Sequence, residues 1–408
     1  MLLAAHSRLM TVMTKPAPTG ARTGSARHGA AFWLVAVVYL VALAFSTIPA
    51  PLYPLYQAAD GFSSFTVTIV FAVYAVGVIV ALLLAGHISD WVGRRRVLLP
   101  ALALEIAAGV LFLAWPSLTG LIVARLLTGL GVGMLTATAT AYLLELHTAH
   151  RPQASGTRFE VVSAAANLGG LGTGTLVAGF LAQFVAAPLR TPYIVFLVLL
   201  VLSVVAVAAV PETVTAPAVK PKYRPQRVRM SGKSLVAAAG AFTAFAVFGL
   251  FTSLAPGFVA SGLHHPSRLL AGFVAFLVFA AGAAAQSAAG LVPAARRFPI
   301  GLAAQGAGLV VLAAGMLATS LWLFLIGGAI AGAGAGILFK SAVGRIAAAA
   351  PPAERGGALA GLFLVGYAGL TVPVLGLGIA TLFVASTTAM LWFTGILLAG
   401  SAVIFSRR

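Results

Sequence analysis

The sequence lacks cysteine and has very few charged residues. Its 408 residues include no cysteine and only seven Asp and Glu, and charged residues make up 8% of the chain. The absence of cysteine excludes disulfide frameworks, thiolate metal sites and cysteine nucleophiles. Soluble domains contain about 25% charged residues. This chain therefore has too few of them to cover a surface that is in contact with water.

Apolar residues make up 61% of the chain and occur in long runs from residue 31 to residue 405. A helix that crosses a bilayer needs about 20 apolar residues. Twelve runs satisfy this requirement. They are residues 31–56, 65–87, 97–114, 118–146, 157–185, 191–210, 234–258, 267–291, 299–317, 320–349, 355–381 and 385–405. We therefore predict an all-α integral membrane protein with 12 transmembrane helices in the plasma (cytoplasmic) membrane.

The segment between the sixth and seventh runs is rich in Pro, Lys and Arg, and it predicts a cytoplasmic linker at 211–233. This linker separates an N-terminal six-helix bundle at 31–210 from a C-terminal one at 234–405. Residues 1–30 lack the sustained apolar core of a signal peptide, so we expect a disordered cytoplasmic tail there. A second short tail is expected at 406–408.

The net charge of +18 is unevenly distributed. Of the 25 Lys and Arg, 21 fall on the side that holds both termini and the linker, and only Arg190 and Arg268 fall on the other. The remaining two, Arg125 and Lys340, lie within spans. The positive-inside rule then places the N and C termini in the cytoplasm. The same distribution favours contact with the lipid bilayer over binding of nucleic acid.

Glycines recur at about half the chain length, which indicates an internal duplication. One set is separated by 203 residues and the other by 200. The first set is Gly129, Gly131 and Gly133 with Gly332, Gly334 and Gly336, and the second is Gly156 and Gly169 with Gly356 and Gly369. Two related bundles around a central cavity are a common transporter plan. We therefore expect two pseudo-symmetric six-helix bundles.

The loop after the second span combines one carboxylate with three arginines, in the order Gly86, Asp90, Gly93 and Arg94–Arg96. It resembles motif A of the major facilitator superfamily, with Trp91 where a basic residue is usual. The matching residues are Gly86, Asp90, Gly93, Arg94 and Arg95. Asp90 can accept charge-assisted hydrogen bonds from Arg94, four residues later. The resemblance implies the fold of that superfamily and a conformational latch at this loop.

The fourth span resembles motif B of the same family through Arg125 and Gly129, with Thr128 where glutamine is frequent. Arg125 lies about 10 Å deep at the helical rise, so it must face protein or a cavity. The family resemblance implies a role in conformational or proton coupling. The alternative is a structural arginine bonded to backbone carbonyls of the first helix.

The fifth span resembles the glycine-rich motif C that is associated with antiporters. Gly170, Gly174 and Gly179 match it and are predicted to pack helices. Thr175 and Ala178 stand where the family has proline and glycine. These departures weaken the inference of antiport and leave the packing role.

Five side chains are candidates for the lining of the substrate cavity. They are Tyr39, Ser46, Asn167, Lys340 and Tyr367. Asn167 and Tyr367 occupy matched positions of the repeat, and interhelical hydrogen bonding is the alternative for both. Lys340 can snorkel towards the cytoplasm. If it faces the cavity with Arg125, the pathway favours an anionic or neutral solute.

The sequence offers two candidates for a proton relay, Glu105 in the third span and Glu160 near the start of the fifth. A structural role is the alternative for Glu105. For Glu160 the alternative is a cytoplasmic salt-bridge cluster with Arg158 and Glu145. No histidine has the spacing of a metal site.

These features predict a secondary active transporter of a small solute that works by alternating access, as a monomer. We expect proton-coupled efflux of a drug or metabolite, with proton-coupled uptake of a sugar, organic anion or amino acid as the alternative. A receptor or scaffold would need neither the repeat nor the latch. The spans hold no convergent nucleophiles, paired carboxylates or metal ligands, so we expect no enzyme, no metal and no cofactor.

Overall fold

The apolar runs of the sequence form helices. The computed structural model describes residues 19–214, 222–228, 232–351 and 354–407. Within this part of the chain, twelve helices are long and apolar enough to cross a membrane, as predicted. They are α1 (Arg27–Asp60), α2 (Ser64–Ala85), α3 (Arg94–Ala114), α4 (Leu118–His150), α5 (Thr157–Phe184), α6 (Thr191–Ala209), α7 (Leu235–Ser253), α8 (Arg268–Leu291), α9 (Ala294–Leu317), α10 (Leu321–Ala349), α11 (Arg355–Ala380) and α12 (Ser386–Ser406). All begin and end within five residues of the predicted limits.

The first helix differs from the prediction at its start. The helix extends beyond the α1 span back to Thr19, so residues 19–30 are helical, whereas a disordered tail was predicted for 1–30. Alanine and arginine are strong helix formers and extend the helix there. Residues 1–18 lie outside the described residues. Near its far end the helix is interrupted at Ile48 and resumes at Pro49, where proline cannot donate the backbone hydrogen bond of a continuous helix.

The odd-numbered glycines of α4 let it approach two helices closely. Gly129 and Gly133 face α2, where added Cβ atoms would meet backbone atoms of Tyr74 and Val78. Gly131 faces α3, where a Cβ would lie 2.9 Å from Oε1 of Glu105. Such contacts are possible only for glycine at these positions.

The second bundle repeats this packing. Gly332 and Gly336 of α10 face Val278 and Gly282 of α8, and Gly334 faces the backbone of Gln305 on α9. The pairs α2–α4 and α3–α4 therefore correspond to α8–α10 and α9–α10. The two bundles predicted from the glycine repeat are thus present in the structure.

Glycines of α5 pack against both bundles. Gly170 and Gly174 lie against α1, next to the backbone of Leu40 and Ala44. Gly179 lies against α8, with its Cβ position 2.6 Å from the carbonyl oxygen of Arg268. Packing thus occurs at all three glycines for which it was predicted, and one of them faces the other bundle.

The bundles meet most closely away from the linker. We call the side that holds the 211–233 linker the linker side and the other the far side. On the far side, Thr175 donates a 3.0 Å hydrogen bond to the carbonyl of Gly272, and Gly378 of α11 packs on Thr68 of α2. Arg268 also donates a 2.8 Å bond to the carbonyl of Ala182. These contacts close the far side.

Part of the linker lies across the end of α2. The backbone N–H of Gln226 donates to the carbonyl of Leu83 at 2.8 Å, and the Tyr223 hydroxyl donates to that of Leu84 at 3.0 Å. The Tyr223 ring stacks on His87 with centroids 5.9 Å apart. The linker thus fastens to the first bundle on the side where the bundles are less tightly packed.

We predict that Gly133→Ala lowers the free energy of unfolding by about 1 to 3 kcal/mol, the usual cost of overpacking. Its new Cβ would lie 2.6 Å from the Ala81 Cβ and 2.7 Å from the Val78 carbonyl oxygen. The matched control is Gly344→Ala, whose Cβ would meet nothing within 4 Å. Unfolding of the purified proteins in detergent measures both. Equal stabilities of the two variants would contradict the close α2–α4 contact.

Candidate functional site

The loop that resembles motif A is a short turn between α2 and α3. A four-residue helix, Ser89–Val92, follows Gly86, and Gly93 then joins it to α3. Gly93 has φ 113°, a conformation that side-chain-bearing residues rarely adopt. This turn brings Asp90 back over the first turn of α3.

Arg94 is the centre of the loop. Its side chain is 8% exposed and donates to Oδ1 of Asp90 at 2.6 Å, to the Ser89 hydroxyl at 2.7 Å and to Oε1 of Glu145 on α4 at 2.7 Å. The planar guanidinium can make these bonds in several directions at once. The predicted Asp90–Arg94 pair is present, and Glu145 is a partner that the motif did not reveal.

Glu212, just after α6, completes this cluster. Its carboxylate accepts the backbone N–H groups of Arg94 at 2.9 Å and Arg95 at 3.1 Å. These are free N–H groups at the start of α3, where the helix dipole favours an anion. Thr213 also donates to Glu145 at 2.5 Å. Asp90, Arg94, Glu145 and Glu212 together form what we call the loop cluster, which joins α2, α3, α4 and α6.

A cavity of about 520 Å³ opens beside the loop cluster. Glu145, Glu212 and Thr213 line it together with His28 near the start of α1. The Arg95 guanidinium points elsewhere and donates to the carbonyl of Ala208 at 3.2 Å. Of the predicted loop residues, Arg94 therefore makes the central contacts, whereas the Arg95 side chain bonds only the end of α6.

Arg125 is buried inside the first bundle, with 3% of its surface exposed. It donates a 2.6 Å hydrogen bond to the backbone carbonyl of Ser46 on α1, and its guanidinium carbon lies 4.5 Å from the centre of the Tyr74 ring. Nε of Arg125 has no hydrogen-bond partner among the described residues. This bond to a carbonyl of the first helix is the one expected if Arg125 has a structural role.

Glu105 is the most deeply buried acidic side chain of the described part of the chain. It is 0% exposed, and neither of its carboxylate oxygens has a hydrogen-bond partner there. It faces Gly131 of α4, which leaves room for the carboxyl group. Burial of a carboxylate without a partner costs free energy.

Tyr39 and Asn167 join α1 to α5. The Asn167 amide donates to the Tyr39 hydroxyl at 2.6 Å, and this hydroxyl lies 3.3 Å from that of Thr140 on α4. Asn167 sits in a π-helical turn, Ala165–Gly169, a distortion that is frequent at functional sites. Tyr39 is fully buried, whereas Asn167 is only partly so. Asn167 therefore makes the interhelical hydrogen bond that was its alternative role.

The other cavity candidates differ in position. Ser46 is 1% exposed and its hydroxyl donates to the carbonyl of Leu43 at 2.7 Å, so it does not face an open cavity. Tyr367 is partly exposed and packs edge to face on Phe245 of α7, with ring centres 5.4 Å apart.

Lys340 makes an ion pair between the two bundles. Its Nζ lies 2.9 Å from Oε2 of Glu160 on α5 and donates to the carbonyl of Gln286 on α8 at 3.0 Å. The predicted cluster of Glu160 with Arg158 and Glu145 is wrong. Arg158 instead stacks on Phe32 and Trp33, because a guanidinium next to aromatic rings is attracted to their faces. Glu145 instead forms an ion pair with Arg94.

Within the described ranges, no group of three or more His, Asp or Glu could hold a metal ion. The buried polar residues instead form separate pairs and clusters. The loop cluster lies on the linker side, Glu105 and Arg125 lie within the first bundle, and Lys340 with Glu160 bridges the bundles. Glu145 and the lysine–glutamate pairing were not found from the sequence, because partners 51 and 180 residues apart leave no local pattern.

Comparison with known proteins agrees with this architecture. The profile of the Major Facilitator Superfamily matches residues 35–302. No curated protein matches the chain in sequence. Among solved structures, the nucleoside transporter NupG, in a mutant form, is similar with a TM-score of 0.68, 12% identity and coverage of 92% of this chain and 98% of that one. The human organic anion transporter MFSD10 (TETRAN) is similar with a TM-score of 0.60, 17% identity and coverage of 93% and 99%.

The family profile covers well over half of the chain, and both similar structures share its fold over nearly the whole length. The twelve helices, the two related bundles and the loop cluster are consistent with it. This chain therefore belongs to the major facilitator superfamily and is a multi-pass membrane transporter.

Proposed function

We propose that this transporter couples the movement of a small solute to protons, with Glu105 as the group that carries the proton. One observation carries the proposal: Glu105 is a fully buried carboxyl group without a hydrogen-bond partner among the described residues, in a bundle that also buries Arg125. Titratable groups inside a membrane domain are costly and are typical of proton pathways. We also propose that the transporter acts as a monomer.

The linker side is proposed to be cytoplasmic, with both termini there. It carries 21 of the 25 Lys and Arg, in agreement with the positive-inside rule. In this orientation the far side, where α5 packs on α8 and α11 on α2, faces outwards. The described arrangement is then closed to the outside.

The proton changes the contacts of Arg125. With Glu105 neutral, Arg125 bonds the Ser46 carbonyl on α1 and stacks on Tyr74 of α2. When Glu105 loses its proton, the carboxylate attracts Arg125, whose Nε has no partner among the residues described. Arg125 then moves towards α3 and weakens the bond to α1. Protonation of one side chain thus changes the packing of α1 on α4.

The second bundle provides an internal comparison for Glu105. Gln305 of α9 occupies the equivalent position, 200 residues later, and is also 0% exposed. The backbone of Gln305 lies against Gly334, and the side chain of Glu105 lies against the matching Gly131. The fold therefore accommodates a neutral amide at this position. The proton site belongs to the first bundle only.

We predict that Glu105→Gln folds normally but no longer couples transport to a pH gradient. The amide has the shape of the neutral acid and cannot release a proton. Purified protein in proteoliposomes is tested with a panel of labelled organic anions, nucleosides and sugars. For a transported solute, gradient-driven accumulation should fall to the level of empty liposomes, while solute exchange without a gradient continues.

The control for this prediction is Asp60→Asn, which removes an exposed carboxylate at the far-side end of α1. It should keep gradient-driven transport. Wild-type accumulation that does not respond to the gradient, or full gradient-driven transport by Glu105→Gln, would contradict the proposed coupling. The same assay gives the direction: exchange of internal solute for external protons supports efflux, the direction we propose, and co-entry of both supports uptake.

The loop cluster is proposed to hold the first bundle together as it moves. Arg94 connects α2, α3 and α4 through Asp90 and Glu145, and Glu212 ties the start of α3 to the end of α6. These four helices then rotate as one body. Rigid-body movement of one bundle against the other is the usual route to alternating access.

We predict that Arg94→Ala lowers stability by roughly 2 kcal/mol, the value of charge-assisted hydrogen bonds lost from a partly buried site. It should also lower the transport rate several-fold. Arg94→Lys should restore little, because a lysine cannot bond Asp90 and Glu145 in the same fork geometry.

The matched control is Arg96→Ala, two residues along the same helix. Arg96 is exposed, and no bond or ion pair to it occurs in the described ranges. Unfolding in detergent and flux in proteoliposomes measure both variants. If Arg96→Ala lost as much as Arg94→Ala, the effect would be one of net charge, and the loop cluster would have no special role.

A further inference from the structure

The ion pair between Lys340 and Glu160 differs from the other charged contacts of the linker side. It joins the two bundles, whereas the loop cluster lies within the first. The Lys340 side chain is 19% exposed, and that of Glu160 is 52% exposed. The Lys340 side chain is thus largely buried, whereas the Glu160 carboxylate that binds it is more exposed to solvent.

Two other cations near the ends of α5 and α10 stack on aromatic rings. Arg158 stacks on Phe32 and Trp33, and the Arg345 guanidinium lies 4.2 Å from the centre of the Phe298 ring. Lys340 instead bonds two oxygen atoms, one from Glu160 and one from the Gln286 carbonyl. The Lys340 ammonium group has three N–H donors, and one of them bonds the Glu160 carboxylate between the two bundles.

The positive charge belongs to one bundle only. The glycine repeat of α4 and α10 has an offset of 203 residues, which places Ala137 of the first bundle at the position of Lys340. Packing does not require a cation there, since α4 has the same contacts without one. Lys340 is therefore an addition to the common framework of the two bundles.

Four aromatic side chains lie on the same side of the second bundle. The ring centres of Phe245 and Phe339 are 5.1 Å apart, those of Phe245 and Tyr367 5.4 Å, and those of Phe339 and Phe363 5.8 Å. All four are partly exposed. We call these four residues the aromatic wall, and Phe339 directly precedes Lys340 in the chain.

We propose that Lys340 binds the anionic group of the transported solute in place of the Glu160 carboxylate, and that the aromatic wall binds its apolar body. The substrate class is then a small organic carboxylate with a flat apolar body. Glu160 occupies the lysine when no solute is bound. Binding of the solute breaks the bond between α5 and α10, so that binding and separation of the bundles are linked.

This inference rests on the proposed transport function but is tested without transport. Purified protein in detergent is heated with benzoate, 2-naphthoate, acetate or the neutral amides benzamide and 2-naphthamide. Benzoate and naphthoate should raise the melting temperature, naphthoate the more strongly. Acetate should act weakly because it lacks an apolar body, and the amides should have no effect because they lack the charge.

Substitutions of Lys340 and Glu160 separate binding from simple structural pairing. Lys340→Gln should weaken carboxylate binding by more than about tenfold, or 1.4 kcal/mol, and Lys340→Arg should retain it. Glu160→Gln should strengthen binding because it removes the competing carboxylate. It keeps Lys340 intact, so it tests the proposal even if Lys340→Gln does not fold. Arg355→Gln, an exposed charge change on the linker side, should leave binding unchanged.

Three results would overturn the proposal. They are equal stabilisation by carboxylates and amides, no stabilisation by any carboxylate of the panel, and weaker binding in Glu160→Gln. Failure of the coupling proposal looks different. Carboxylates would then bind in a Lys340-dependent way, but a pH gradient would not drive them. If a solute were instead driven by the gradient although its binding did not depend on Lys340, that result would contradict the proposed anion site but not the proposed coupling.

Discussion

The structure depends on the exclusion of unpaired charge from the interior of a membrane protein. Burial of a polar group without a partner costs free energy, because its hydrogen bonds to water are lost and not replaced. Arg125 meets this constraint through a backbone carbonyl of α1 and the face of Tyr74. Glu105 has no partner in the described part of the chain, and we propose that it meets the constraint by remaining neutral. In the proposed coupling, loss of this proton turns the carboxylate to Arg125 and gives α1 different contacts.

The glycines make this pair possible and connect it to the halves of the molecule. Gly131 leaves space for the Glu105 carboxyl group, and Gly129 and Gly133 hold α4 close to α2, which carries Tyr74. The same pattern in α10 places Gln305 against Gly334. At the far side, Gly179 and Gly378 bring the bundles into contact. These contacts must separate if the solute is to leave on that side, so one set of glycines packs the helices within each bundle and another packs the two bundles together.

Much of this architecture could be predicted from the sequence, because it follows from local composition. Span positions follow from runs of apolar residues, the two bundles from glycines about 200 residues apart, and the Asp90–Arg94 pair from a spacing of four. The partners of charged residues could not be predicted in this way. Glu160 was assigned to Arg158 because they are neighbours in the chain, whereas its partner Lys340 lies in the other bundle. Likewise, burial of Glu105 depends on which face of α3 meets α4, and a uniformly apolar helix does not reveal that face.

The central claim is that protonation of Glu105 controls the movement of the two bundles. The chain has no cysteine, so spin labels can be placed without background. Ala59→Cys with Phe383→Cys reports the far side, and Ala154→Cys with Leu291→Cys reports the linker side. Distances measured by double electron–electron resonance should respond oppositely as the pH rises, with the far-side pair separating and the linker-side pair approaching. Glu105→Gln should remove both changes. The account would be contradicted if the wild-type distances did not change with pH, or if they changed equally in Glu105→Gln.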